Sequence, residues 1–300
     1  MKRVLMATSI LALAVTGMLA QSTAPGSGKW EVLASWGNLP AGVAWGGASQ
    51  ASTNPDGQIV IFRRATPAFF VLSPDGTFIK SWGDKMYRLA HGIRIDRDGF
   101  IWASDNADNF IQKISPDGKV LLTLGKPGAT GDNNSEDGFD GPADVFVAPN
   151  GDILVADGYR NSRVVRFSKD GKYLSKIGGV KGAEPGQFNL PHAVVVDSKG
   201  RIIVADAENS RIQVFDNSGK FLEQWTNFPA KPRGALYITP DDTLYVSHVD
   251  TESITIMKDG KVLDSITNVG LRPHGLTVDR RGDIYVTGPL TQMVKKIVKK

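Results

Sequence analysis

Only four of the 300 residues are histidine, and three of them sit in one recurring phrase: "LAHG" with His91, "LPHA" with His192 and "RPHG" with His274. The phrase returns without histidine as "LPAG" at Ala41, "GPAD" at Ala143, and "KPRG", where one additional residue makes Arg233 or Gly234 the match. Histidine therefore takes every second copy. A histidine at a strand end commonly caps the strand or satisfies a core polar group. Three in a shared register open a second reading. Three imidazoles around one axis leave a coordination position free for water or substrate, the pattern of a catalytic zinc site. The chain has no cysteine, so no thiolate can serve as ligand or nucleophile. Zinc suits such a set, and iron or manganese also fit it.

Two further side chains have the right chemistry to work beside a metal. The stretch "DGYRNSR", residues 157–163, puts Tyr159 where a neighbouring copy reads "DAENSR" and is one residue shorter. A nearby cation lowers the pKa of a phenol and lets it act as a base. Packing is the ordinary alternative for an aromatic in a loop. Arg64, at the end of "GQIVIFRR", offers a planar fork that matches a carboxylate; a solvated arginine at a sheet edge is its ordinary counterpart. The fourth histidine, His248, falls where other copies carry Asp157 and Asp206, and reads as structural. Arg163 and Arg211 recur with the repeat, as expected of ties between strands.

The elements that must position these residues are β-hairpins. "GIRIDRDGFIWASD", "DVFVAPNGDILVAD", "AVVVDSKGRIIVAD", "ALYITPDDTLYVSH" and "GLTVDRRGDIYVTG" each join two β-rich runs through a turn. A second hairpin follows in most copies, as in "RVVRFSKDGKYLSKIG". Four strands per unit at a spacing of about 40 residues predict an all-β protein, a β-propeller with four-stranded blades. The last copy is one strand short, and "WEVLASWG", residues 30–37, supplies it, ending on the same "SWG" that closes the first full copy at Ser81–Gly83. The ring then has six blades and is closed by the N-terminal strand. A seventh blade would have to hide in "KPGATGDNNSEDGFDG", which has no strand pattern and reads as a long surface loop. The phrase carrying the histidines leads into the innermost strand of each blade. On blades two, four and six, His91, His192 and His274 therefore point at the channel axis about 120° apart. The loop between the second and third strands opens on the same face, which puts Tyr159 and Arg64 on the histidine side.

Residues 1–20, "MKRVLMATSILALAVTGMLA", have the layout of a secretory signal peptide: Lys2 and Arg3, then an apolar stretch from Val4 to Ala20. Residues 21–29 read as a flexible segment and 30–300 as one propeller. The protein is expected to be exported, to the periplasm or beyond the cell, without membrane insertion once the leader is cleaved. Net charge is +4, falling to about +2 when Lys2 and Arg3 leave. That small surplus gives no reason to expect a nucleic-acid surface.

The blades resemble NHL repeats. More narrowly, "AHGIRIDRDGFIWASDNADN", "ILVADGYRNSRVVRF", "FNLPHAVVVD", "IIVADAENSRIQVFD" and "RPHGLTV" look like the lyase domain of peptidylglycine α-amidating enzymes. The resemblance covers most of residues 42–290 and is strongest between 91 and 216. It implies a six-bladed propeller that converts a peptidyl α-hydroxyglycine into a peptide amide and glyoxylate. It also implies His91, His192 and His274 as zinc ligands, Tyr159 as the catalytic tyrosine and Arg64 as an arginine acting at the substrate. The family places an active-site arginine where this chain has Ala207, and a cysteine after the tyrosine where this chain has Arg160. It also places an aspartate, associated with a structural Ca2+, where this chain has Gly275. On these grounds the chain reads as an exported Zn2+-dependent lyase acting on a small peptide or carbinolamide substrate. A metal-dependent hydrolase or lactonase is a near relative of that reading. A non-enzymatic propeller that binds a peptide, glycan or protein partner is the competing class.

Overall fold

The computed structural model describes residues 28–300; the leader expected over residues 1–20 lies outside them. The described chain forms six four-stranded antiparallel sheets arranged as a β-propeller. Their innermost strands are Ala48–Thr53, Ala90–Ile95, Pro142–Val147, Pro191–Val196, Leu236–Ile238 and Gly275–Val278 in blades one to six. The expected long loop between blades two and three contains no strand.

Burial grades outward along each blade. The second strand of blade three, Ile153–Asp157, is buried throughout, whereas the fourth strand of blade one, Phe78–Trp82, is largely exposed. Inner strands are therefore apolar or small on both faces. The core is divided into six clusters, one between each pair of neighbouring blades. Every blade buries a face against both neighbours, and blades one and six gain their second neighbour only when the ring closes.

Closure uses the N-terminus, as the sequence implies, but with fewer residues. Trp30–Val32 pairs with Met293–Lys299 in blade six, through Trp30↔Lys299, Glu31↔Val298 and Val32↔Ile297. The strand was expected to run through residue 37. It stops because the chain turns into the seam of blades one and six, where Trp36 Nε1 donates to Pro74 O at 3.1 Å and the indole meets the Tyr285 ring at 4.9 Å.

The feature that matters most for the site is a break in pairing at the start of the innermost strands. Register shifts occur between Ala48 and Gln50, Ala90 and Ile93, Pro142 and Asp144, and Pro191 and Ala193. A bulge turns the extra residue out of the ladder and re-aims its side chain. The residues so released include Ser49, His91, Ala143 and His192. Blade one thus presents Ser49, not Ala41, at the position that histidine holds in blades two and four.

Candidate metal centre

The bulges bring His91 and His192 to the channel axis, and His274 joins them from directly before the innermost strand of blade six, where its amide donates to Thr287 O at 2.9 Å. Ring centroids are 5.1 Å apart for His91–His192, 4.7 Å for His91–His274 and 5.2 Å for His192–His274. One nitrogen from each lies within 4.8 Å of the others. His91 and His192 are almost fully buried and His274 is partly buried.

Each ring is aimed by the next blade. His91 Nδ1 meets Ala143 O at 2.7 Å, His192 Nδ1 meets Gly234 O at 3.0 Å, and His274 Nδ1 meets Ser49 O at 2.9 Å. Histidines on blades two, four and six therefore alternate with carbonyls on blades three, five and one. A carbonyl only accepts, so Nδ1 carries the proton and the Nε2 lone pair faces the axis. This settles the uncertain match in blade five: Gly234 supplies the carbonyl, and Arg233 precedes it.

Three lone pairs converging in a buried space ask for a donor or a cation. Tyr159 Oη lies 2.9 Å from His91 Nε2 and 3.2 Å from His192 Nε2, but its single proton can satisfy only one of them. Among the described residues, His274 Nε2 is buried with no hydrogen-bond partner. Burial pushes all three imidazoles below the usual histidine range, His192 to about 4, with charge repulsion from His192 and Arg64 adding to the shift at His91 and His274. All three are consequently neutral at pH 7, the form that binds metals. The donor set fits a divalent transition-metal ion.

Tyr159 is held from several sides. Its amide donates to Gly141 O at 3.1 Å. A Cβ on Gly141, which has φ +80°, would meet Tyr159 Cβ at 2.6 Å, and one on Gly158 would meet Pro191 O at 2.1 Å. Only glycines permit those approaches. Beneath the turn, buried Asp157 accepts from Arg163 Nε at 2.9 Å, Asn161 Nδ2 at 2.8 Å and the Asp140 amide at 3.0 Å. Arg163 also donates to Ser135 O and Gly138 O, at 2.5 and 2.6 Å, clamping the long loop onto blade three. In blade four the corresponding pair is Arg211–Asp206, at 2.8 Å. Both arginines are thus structural ties, as expected. Burial pushes the Tyr159 phenol up, and Arg64 and Arg233 pull it back.

Arg64 reaches the same centre. Its Nε donates to Ala90 O at 3.2 Å, next to His91, and among the described residues its guanidinium has no ion-pair partner. Arg160 turns away toward blade two, pairing with Asp140 and donating to Asn106 O at 3.1 Å and Asn109 Oδ1 at 3.0 Å. His248 also stays out of the site: its Nδ1 meets Lys231 O at 3.1 Å and its Nε2 meets Thr255 Oγ1 at 2.8 Å. At Gly275, a Cβ would lie 2.3 Å from Gln50 Oε1 and 2.5 Å from Thr287 Oγ1. Any side chain at position 275 would also meet Gln50 Cα at 2.5 Å, so the aspartate that the resemblance calls for would crowd the backbone of blade one.

Just beneath the histidines the channel narrows to a gap of about 10 Å³, bordered by Gln50 and Asp144. Asp144 pairs with Arg94 at 2.8 Å. The larger cavity of about 520 Å³ opens at the opposite mouth and includes none of the three histidines, Tyr159 or Arg64.

Residues 139–167 and 188–215 match the NHL repeat. Over 254 residues the chain is 32% identical to human NHL repeat-containing protein 3, covering 77% of this chain and 73% of that protein. The chain belongs to the NHL repeat-containing proteins. It is also 32% identical over 148 residues to a probable peptidyl-α-hydroxyglycine α-amidating lyase of Caenorhabditis elegans. That match covers 48% of this chain but only 42% of the nematode protein. Among solved structures, a streptogramin B lyase superimposes with a TM-score of 0.65 over 90% of this chain and 97% of its own, at 15% identity, a likeness of fold.

Proposed function

We propose that this protein is an exported, zinc-dependent lyase that cleaves a peptidyl α-hydroxyglycine, or a related carbinolamide, to an amide and glyoxylate. The observation that carries the reading is the Tyr159 hydroxyl, within hydrogen-bond distance of two of three converging imidazoles. His91, His192 and His274 would hold the metal. When bound, such an ion supplies positive charge that favours ionisation of neighbouring hydroxyls. Tyr159 Oη is placed to accept the proton of the substrate's carbinol hydroxyl. As the carbinol carbon becomes the glyoxylate aldehyde, its C–N bond breaks, and the amide nitrogen takes up a proton. Arg64, anchored through Nε, offers its remaining nitrogens to the carboxylate. The gap of about 10 Å³ under the histidines has room for no more than a water, so the substrate would approach from the Tyr159 face.

The test is glyoxylate release from a peptidyl α-hydroxyglycine by zinc-loaded protein, beside metal-stripped protein at the same pH. The control is essential because these carbinolamides also break down unassisted. Release no faster than in the control rejects the lyase. A metal-free protein as isolated, with no transition metal by elemental analysis, favours the partner-binding propeller.

A further inference from the structure

The site holds a second cation to which the reading above gives no role. Arg233 belongs to the lead-in of blade five, directly before Gly234, whose carbonyl aims His192. Its side chain is not loose. Glu208, in the short turn Ala207–Asn209 of blade four, accepts from Lys231 Nζ at 2.6 Å and lies 3.5 Å from Arg233 Nε. The backbone of this lead-in is fixed in turn by His248 through Lys231 O. Glu208 thus holds one edge of the guanidinium while 45% of the side chain stays exposed.

The surrounding charges leave the two arginines in excess. Asp157 and Asp206 are each paired within the fold, to Arg163 and Arg211. The buried Asp105 of blade two, which accepts from main-chain amides, is offset by the buried Arg63, which donates to the carbonyls of Ala44, Trp45 and Pro67. Glu208 is shared between Lys231 and Arg233, so that trio keeps one net positive charge. Arg64 stands at the seam of blades one and two, Arg233 at the seam of blades four and five, and Tyr159 projects from blade three between them. Both guanidinium groups act electrostatically on Tyr159 and on His192 and His274. A face with this surplus attracts an anion, and guanidinium forks match a planar carboxylate.

We propose that Arg233, steadied by Glu208, is a specificity-determining residue that binds the substrate's carboxylate together with Arg64. This rests on the lyase reading for the identity of the substrate. The binding claim itself is read without turnover, using N-benzoylglycine and its primary amide, two probes that differ only at the carboxylate. Calorimetric titration of zinc-loaded protein should show a preference for the acid. Arg233→Gln should cut that preference by about 10–100-fold, the effect of losing a charge-assisted contact, with zinc content and Tm unchanged. Arg233→Lys should recover only part of it, because the charge returns without the fork. Glu208→Gln should fall between wild type and Arg233→Gln, as a positioning residue does. A preference kept within about twofold in Arg233→Gln overturns the proposal, as does a wild type that shows no preference. The two ideas fail separately: a protein that releases no glyoxylate yet prefers the acid through Arg233 loses the reaction and keeps the anion site.

Discussion

Replacing Tyr159 by phenylalanine removes a single oxygen, and the structure shows what that oxygen touches. It sits 2.9 Å from His91 Nε2 and 3.2 Å from His192 Nε2, while the ring packs edge-on against both imidazoles with centroids 5.0 and 5.6 Å away. The packing survives the substitution. In metal-free protein the change leaves another buried lone pair without a donor, and costs about 0.5–1.5 kcal/mol for the lost hydrogen bond. In zinc-loaded protein those lone pairs are engaged, so the stability cost should shrink. The catalytic effect is of another size. Loss of a positioned general base lowers a rate by roughly 10²–10⁴-fold, about 3–5.5 kcal/mol of barrier. Burial raises the phenol pKa and Arg64 and Arg233 only oppose that shift, so under the proposed mechanism a base at Tyr159 would need the charge of a bound metal. Single-turnover glyoxylate release, with zinc measured in the same samples and metal-stripped protein as background, separates the two effects. A Tyr159→Phe enzyme with full zinc and a rate within about threefold of wild type would refute the assignment, and the tyrosine would be a packing residue.

Other outcomes follow from the same geometry. Alanine at His91, His192 or His274 should strip most of the zinc found by elemental analysis, whereas His248→Gln should leave it in place; a variant at the axis that retains full zinc refutes the three-histidine site. His248 itself is buried neutral, with its pKa lowered from 6.5 to about 4, so it favours the fold at neutral pH and loses that contribution as pH falls from about 6.5 toward 4. His248→Gln should therefore be less stable than wild type at pH 8 in urea titrations, and the gap should narrow by about 2 kcal/mol by pH 4.5; a constant gap contradicts the linkage. Deleting residues 28–33 should uncover Met293–Lys299 as an edge strand, lower Tm and give concentration-dependent association in size-exclusion chromatography. An unchanged, monodisperse protein would show that the three-residue strand is dispensable.

A repeat makes its own exceptions conspicuous, which is why so much of this site is legible in the sequence. The blade count followed from the hairpin period, and the histidine register from a lead-in phrase repeated nearly verbatim, with proline or alanine ahead of each histidine. Tyr159 stood out because its loop is longer than the otherwise similar loop ending at Arg211. What stayed hidden was of a different physical kind. Ser49 could not be matched because the innermost strand of blade one, "ASQAST", is small and polar and lacks the phrase. Its contribution, like those of Ala143 and Gly234, is a main-chain carbonyl that any residue would provide. The repeated "SWG" misled in a related way. Trp82 lies in a strand and stacks on Phe69 at 4.1 Å, whereas Trp36 has left its strand to pack on Tyr285. Identical tripeptides therefore served different neighbours. Arg233 was visible only as an awkward register match, because its significance comes from Glu208, a partner 25 residues earlier on the adjoining blade. Side chains that interrupt a periodic pattern announce themselves in one dimension. Contacts between blades are created only when neighbouring blades pack, and the groups that aim the histidines and present Arg233 belong to that second class.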